Sequence, residues 1–457
     1  MRKMYRLVIL VICIIGLSAC TIRFGSINNG DTDKIFDDHV LAKANEKVDI
    51  NESELNVDAS YQEFVRKLQV FSAKLTVAAY NDSDKNENLC ISPVSVYMAL
   101  AMTITNANGV AKEELLNAVG VTIDEVNNFT KYLYSYLKKE KYKYDDSLKI
   151  EKLASILDMN NSIWIDDAIS LKQEGLDNLA NNFMADSYKV SFKNDNEKAN
   201  ELLSKYVDIK TRGLIKPKLQ LTKDTLFALV NTLYMKDFWA GCDDKLNFTK
   251  NELDFKTASG EVIKKQFLES PYNYGRVIEA ETYKHFYVKT DSGYNLKMFI
   301  PKDGYTLSDI FTVNNLVDVT RTNNYNGIEE EITPDGYVTS IEHHTRTIFP
   351  SFEASYDNNL VDIFKKDFNV VNIFNPGQHM TGLTDIDNLF ISQIIHQTKL
   401  KVDETGVEGA AVTIVAFEAE SCGPIMKMYD FVIDRAFAYV LTDNGGNILF
   451  SGVVNNI

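Results

Sequence analysis

Cysteine is scarce in this 457-residue chain, which holds 5. Two of them, Cys13 and Cys20, sit in an N-terminal leader, and Cys90, Cys242 and Cys422 are widely separated. No CxxC pair and no Cys/His spacing of a zinc site occurs, so neither a disulfide framework nor a structural metal is suggested. An excess of positive charge is lacking as well. The 48 Lys and Arg against 64 Asp and Glu leave a net charge of −16, the wrong sign for a surface that must hold nucleic-acid phosphates. Also absent are the Walker A, GxSxG and HExxH patterns, and no spacing argument pairs a serine nucleophile with His343 or His344. These two histidines are expected to be solvent-exposed neighbours. No enzyme constellation is visible, and nothing calls for a cofactor or a metal.

What is present is an ordinary folded composition. With 45% hydrophobic, 11% aromatic and 25% charged residues, disorder of the whole chain, collagen and a multi-span membrane protein are excluded. The length alone allows three domains or one large one. At the start, Arg2, Lys3 and Arg6 precede the apolar run Leu7–Gly16 and then Leu17-Ser18-Ala19-Cys20. A basic n-region, a short apolar region and a small-residue cleavage site make a secretory signal over residues 1–19. It looks like the bacterial lipoprotein signal, in which cleavage leaves a lipidated Cys20, with simple secretion as the alternative. Loss of the three basic residues takes the net charge from −16 to −19. Residues 21–58 are polar, without a sustained period, and read as a flexible tether of roughly 30–40 Å mean reach. The expected organisation is therefore leader 1–19, lipidated Cys20 and tether 20–59, and a folded domain 60–457, placed on the outer face of a bacterial membrane or released.

In the folded part, Phe64, Leu68, Phe71, Leu75 and Ala78 recur at helical spacing. Ser92-Pro93 starts a second helix, apolar nearly all round and therefore buried. Leu226–Met235 is a strand-length apolar run, expected to be covered on both faces, and Phe390–Leu400 resembles a second core strand. Each carries one polar residue in its middle, Asn231 and His396, which read as satisfied core hydrogen-bonders. Residues 253–355 alternate strand-like pieces with turns and suggest smaller antiparallel sheets.

The unusual stretch is Val402–Phe417, polar at first, then small, then β-prone. In an extended chain Val407, Gly409, Ala411, Thr413, Val415 and Phe417 share one uncharged face, with Glu408, Ala410, Val412, Ile414 and Ala416 on the other. Exposed-loop chemistry follows, from Glu418 to Pro424. Small residues at its start would let this loop slide between two core strands.

These pieces resemble the serpin family from about residue 60 to the end of the chain. The matching segments are NLCISPVSVYMALAM (88–102), TRGLI (211–215), VNTLYMKDFW (230–239), MFIPKDG (298–304), FPSFEASY (349–356), HQTKLKVDETGVEGAAVT (396–413), FVIDRAFAYVL (431–441) and GGNILFSGVV (445–454). Departures are Ala436 for the usual Pro, Gly409 for Ala and Asp237 for Gly. The resemblance implies an α+β fold with a large central mixed sheet, two smaller sheets, about nine helices and an exposed reactive-centre loop. It places Ser92, Ser95, Asn231 and His396 at the shutter, where strands part. Trp239 and Glu404 fall at the breach, where insertion begins, and Gly406, Val407, Gly409, Ala410, Ala411 and Val412 in the hinge.

The function implied is that of a monomeric serine protease inhibitor acting as a suicide substrate, not of an enzyme. The alternative is a non-inhibitory member serving as a surface binding or structural module. Counting from Gly406 puts the reactive bond at Glu420-Ser421, with Ala419 one residue away, whereas counting back from Phe437 puts it near Ile425-Met426. Ala419 would suit an elastase-like target and Glu420 an acid-preferring one. The acidic surface would speed encounter with basic proteases.

Overall fold

The computed structural model describes residues 33–45, 59–145, 150–242, 245–323, 325–332, 338–387, 389–408 and 425–457. The leader, Cys20 and the loop positions Gly409, Ala410, Ala411, Val412, Ala419, Glu420, Ser421 and Cys422 lie outside these residues. The chain divides into residues 1–38 and His39–Ile457. Every strand and α-helix described below belongs to the second unit.

Helix α1 (Ala59–Asp82) buries the predicted stripe of Phe64, Leu68, Phe71, Leu75 and Ala78. Helix α2 (Pro93–Asn106) is buried on nearly every side and packs against both α1 and the central sheet. Ser92 stands at its N-cap position, but its side chain caps no backbone N–H. Its Oγ instead donates to Ser95 Oγ at 3.0 Å. Pro93 supplies the helical φ without needing a partner for an N–H. Helices α3 (Gly109–Val119), α4 (Ile123–Tyr136), α5 (Gln173–Asn182), α6 (Asn196–Lys210), α7 (Leu307–Ile310), α8 (Val313–Arg321) and α9 (Val361–Asp367) complete nine α-helices among the described residues.

Fourteen strands form one large mixed sheet. Its first half runs β1 (Val40–Ala42), β5 (Ala185–Val190), β4 (Ile150–Asp166), β6 (Phe227–Phe238), β19 (Gly406–Val407), β18 (Ile395–Val402) and β17 (Phe352–Asn359). The second half continues with β2 (Leu89–Ile91), β22 (Ile448–Val454), β21 (Phe437–Thr442), β14 (Asn295–Pro301), β13 (Tyr283–Lys289) and β12 (Ile278–Glu279). Strand β3 (Lys138–Asp145) pairs with β4. A six-stranded sheet centres on β16 (Val338–Phe349), which pairs with β10 (Leu268–Glu269), β11 (Asn273–Tyr274), β15 (Ile328–Ile332) and β20 (Ile425–Val432), while β7 (Asn247–Phe248) joins through β10. A two-stranded sheet consists of β8 (Leu253–Lys256) and β9 (Val262–Lys265).

Four sequence expectations are corrected here. Part of the segment read as a tether is β1, which adds to the sheet edge through Val40↔Tyr188 and Ala42↔Ser187. Ala44 N–H donating to Asp186 Oδ1 at 2.9 Å and Asn45 N–H to Ala180 O at 2.9 Å prolong that attachment. The strand expected from Phe390 begins at Ile395, because Ile391 N–H is taken by Ile373 O and Ile394 N–H by Asn359 Oδ1. Strand β6 is buried over Thr232–Met235, but Leu229–Asn231 are only half-buried, since no strand pairs with that stretch on its β18 side among the described residues. Finally, His343 is buried, its Nδ1 3.0 Å from Tyr429 Oη and its Nε2 3.1 Å from Glu329 Oε2. His344 is half-buried against Glu342. Strand alternation explains the pair, since neighbours on β16 point to opposite faces.

Ala436, where the family usually has Pro, donates its N–H to Lys256 O at 2.8 Å, a bond that proline has no hydrogen to make.

Candidate functional site

The site is built where β6 and β18 separate. Strand β19 lies between them at one end, with Gly406↔Phe238 and Val407↔Asp237 on one side and Val402↔Val407 on the other. Both pairings are antiparallel, so β6 and β18 run parallel to each other and a strand continuing β19 would be antiparallel to both. Beyond Val407 among the described residues no ladder joins β6 to β18. The strands flank a cleft lined by Ser95, Phe227, Asn231, Gln393 and His396 among others. A β-edge facing a β-edge with no strand between them among the described residues is a row of ladder groups open to a partner.

The end of the cleft held by β19 is rigidly framed. Trp239 is buried, its Nε1 donates to Asp403 O at 2.8 Å, and its ring meets Phe349 edge-on at 5.7 Å. Asp403 Oδ1 accepts from Thr405 N at 2.9 Å and Oγ1 at 2.6 Å, and Lys401 Nζ reaches Oδ2 at 2.8 Å. Burial works against ionisation of Asp403, but the bonds from Lys401 and Thr405 outweigh it and hold the carboxyl below its usual range. Glu404 contributes its backbone, its carbonyl accepting from Leu246 N–H at 2.7 Å. Gly406 is required by contact, since a Cβ there would overlap the carbonyl of Asp237. Asp237 itself is buried and accepts from Ser292 N at 3.1 Å, Ser292 Oγ at 3.1 Å and Phe238 N at 3.0 Å.

At Glu408 the chain leaves the sheet. Its φ is +51°, a left-handed conformation that costs a non-glycine residue on the order of 1 kcal/mol or more. Two bonds hold it there: its N–H donates to Lys401 O at 3.0 Å, and its Oε1 accepts from Tyr234 Oη at 3.0 Å. Burial pushes the Glu408 carboxyl above its usual range, partly offset by Tyr234 and nearby lysines. The Arg212 guanidinium lies over the Tyr234 ring, 5.5 Å from its centroid. Neither Tyr234 nor Glu408 stands out in the sequence, because Tyr234 reads as one more apolar strand residue and Glu408 as an outward polar one.

Across the cleft, the residues expected at the shutter divide between its two banks. His396 Nε2 accepts from Ser92 N–H at 3.1 Å, so the proton of the neutral ring sits on Nδ1. Burial holds its pKa down to about 3. Asn231, on β6, donates to Asn161 Oδ1 rather than reaching His396, and its own Oδ1 is buried without a partner among the described residues. The structure thus groups Ser92, Ser95 and His396 on one bank and Asn231 with Asn161 on the other. Asn161, absent from the sequence reading, sits on β4 opposite Asn231.

The remaining loop positions are constrained at their far end. Ile425 and Met426, the alternative reactive bond, are in β20 and pair with Ile341 and Glu342. A bond fixed in a ladder is not presented to a protease, so this alternative is withdrawn.

A two-residue strand seated between two otherwise separated strands of a large central sheet is a specific topological feature. The profile of the family described as Serpin (serine protease inhibitor) matches residues 66–457. The chain belongs to the serpin family. It is 26% identical over 386 residues to Serpin-Z10 of Arabidopsis thaliana, covering 80% of this chain and 91% of that one. It is 23% identical over 408 residues to heparin cofactor 2 of Rattus norvegicus, covering 86% and 78%. Among solved structures, the native state of the thermophilic serpin tengpin superposes with a TM-score of 0.68 at 22% identity, covering 91% of this chain and 98% of that one. The serpin fold expected from the sequence, α+β with a large mixed sheet and smaller ones, is the fold observed. Most serpins are inhibitors of proteases and not catalysts.

Proposed function

We propose that this serpin inhibits serine proteases as a suicide substrate. The observation that carries the reading is β19, a hinge already seated between β6 and β18 with an open cleft ahead of it. Extending its register along β6 brings Thr413 opposite Asn231 and Phe417 opposite Phe227. Extending it along β18 brings the same Thr413 opposite His396. Two independent ladders therefore agree on where an inserted strand would lie. Val407 is buried, and the strand period puts Gly409, Ala411, Thr413, Val415 and Phe417 on the same inward face. No charge enters the core.

A protease attacks the carbonyl of the reactive bond, read as Glu420-Ser421, and forms an acyl-enzyme with the loop. The freed loop then enters the sheet as a new strand, gaining ladder hydrogen bonds and apolar burial. From Gly406 to Glu420, at about 3.3 Å per residue, the tethered protease travels on the order of 50 Å. Its catalytic geometry is distorted before deacylation. The uncleaved protein is accordingly held by a kinetic barrier. Small apolar or acidic side chains at Ala419 and Glu420 suit an elastase-like or acid-preferring enzyme.

The test is to mix the protein with such proteases and look for a covalent complex that survives SDS. Clean cleavage with every enzyme tried would instead leave the non-inhibitory reading, a surface binding module. Gly409→Arg is expected to turn the inhibitor into a substrate, since a guanidinium would have to enter the core; cleavage without complex formation is the readout. The leader and Cys20 support a further part of this reading, a monomer anchored by lipid to the outer face of a bacterial membrane. In that case Cys20→Ser abolishes acyl labelling and detergent-phase partitioning.

A further inference from the structure

Strand β1 fixes where the chain coming from Cys20 joins the sheet. It pairs with β5 through Val40↔Tyr188, β5 pairs with β4 through Tyr188↔Trp164, and β4 with β6 through Trp164↔Ala228. Val40, Tyr188, Trp164 and Ala228 thus form one row across the strands. The hinge pairs at the other end of β6, at Asp237 and Phe238. From Phe238 to the row is about 33 Å along the strand. Direction is set as well. Strand β1 is antiparallel to β5, and His39 Nδ1 lies 2.9 Å from Lys189 O, one residue further from the hinge. The chain therefore enters the sheet from the end opposite the hinge.

We propose that the anchor and a captured protease share this pole, so that capture carries the enzyme from the outward side of the molecule to its membrane side. The inference rests on the inhibitory and lipid-anchored readings above. The uncut loop is held at the hinge end, by β19 at its start and at its finish by β20, whose sheet meets that end where Phe349 packs on Trp239. With the hinge register extended, Ala416 joins the row of Val40, and Glu420 lies about 13 Å beyond it. From β1 to the inserted strand is four strand spacings, about 19 Å. The acyl-enzyme bond then stands about 25 Å from Val40. A protease of ordinary size is about 45 Å across, so it abuts the point where the anchored segment joins. That segment is shorter than the tether read from the sequence, because β1 is built into the sheet. From Cys20 to Val40 a chain spans at most about 70 Å and, coiled, about 25 Å. A captured enzyme fits between domain and bilayer only with this link drawn out, and is held against the lipid.

The test uses the lipidated full chain in vesicles of phosphatidylcholine and phosphatidylglycerol that carry an acceptor-labelled lipid, with a protease bearing one donor dye. A protease whose nucleophilic serine is replaced by alanine holds the uncut loop and gives the starting position. Energy transfer to the membrane is expected to be higher in the covalent complex than in that encounter complex. Equal or lower transfer overturns the proposal. A second measurement shortens the link. Deleting residues 23–32 leaves β1 in place and cuts the reach from Cys20 to Val40 to at most about 35 Å, less than the width of the enzyme. On vesicles this variant is expected to yield more cleaved inhibitor per covalent complex than the full-length chain, whereas in the soluble Cys20→Ser form shortening changes nothing. A partition on vesicles that shortening does not alter also overturns the proposal. The two readings beneath it fail separately: a lipidated chain that does not float with the vesicles removes the anchor, and absence of any covalent complex in solution removes the inhibitor.

Discussion

Glu408 is held in a conformation that a strand does not use. Val407 is in the ladder, and the left-handed φ at Glu408 departs from the extended backbone that an inserted strand would need there. Advancing by one residue requires that φ to return to the extended region, which relieves strain but breaks the Tyr234–Glu408 hydrogen bond. A hydrogen bond to a charged group contributes about 1.5–3 kcal/mol. Tyr234→Phe removes it and leaves the ring in place. The expected outcome is loss of inhibitory activity on warm incubation about tenfold faster than in the wild type, if the whole effect falls on the barrier. Periodic activity assays, with the inserted form resolved by native gel, measure this. An unchanged lifetime would show that the bond does not hold the hinge.

A second residue-scale prediction concerns acid. His396 is neutral in the fold with its pKa held to about 3 by burial, and His285 is likewise held to about 3 by burial and by Lys297. Unfolded histidine titrates near pH 6.5. Between pH 6.5 and 3 the unfolded chain therefore binds protons that the folded chain does not, and stability falls as the pH is lowered through that window. At pH 5 each histidine contributes a loss on the order of 2 kcal/mol. His396→Gln keeps an acceptor for Ser92 N–H and cannot titrate, so the drop in thermal midpoint between pH 7 and pH 5 should be smaller in this variant. An equal drop would remove His396 from the account.

At the scale of elements, the strand that sequence reasoning overlooked is β1. Val40-Leu41-Ala42 is too short and too isolated in a polar stretch to declare itself, and it becomes a strand because β5 offers an unpaired edge. It covers that edge with hydrogen bonds continued by Ala44 and Asn45. Deleting residues 1–45 is expected to lower the thermal midpoint of the uncleaved protein by about 1–2 °C, the effect of about 1 kcal/mol on a folded unit this large. Scanning calorimetry of the two forms checks it. The boundaries of β18 show the same dependence on context. Phe390–Ile394 has the composition of a strand, but its N–H groups are taken by Ile373 and Asn359 before any ladder reaches them.

At the scale of the whole molecule, no ladder joins β6 to β18 beyond Val407 among the described residues, which leaves two interior edges in the central sheet. On the inhibitory reading the loop fills them once it is cut, and the uncleaved protein is short of its most hydrogen-bonded arrangement. Cutting the loop with a protease that is then removed should raise the thermal midpoint by tens of degrees, since about ten residues would gain ladder bonds and burial together. No rise would mean that the loop does not enter the cleft, and would favour the non-inhibitory reading.

Local chemistry in the sequence determined much of this. The stripes that make α1 and α2, the hydrophobic run of β6, the alternation of Val407–Phe417 and the small residues at Gly406 and Gly409 were legible because they depend on neighbours a few positions away. Trp239, Ser92 and His396 could be singled out through the motifs that carry them, and the structure buries all three. What only the tertiary structure decided is pairing between distant parts of the chain. It decided that His343 is buried between Tyr429 and Glu329, that Asn231 bonds to Asn161 and not to His396, and that Ile425 and Met426 are locked against β16. It decided, too, that Tyr234 catches Glu408. Each partner in these contacts is an ordinary residue for its element, and its role arises only when folding brings together strands far apart in sequence.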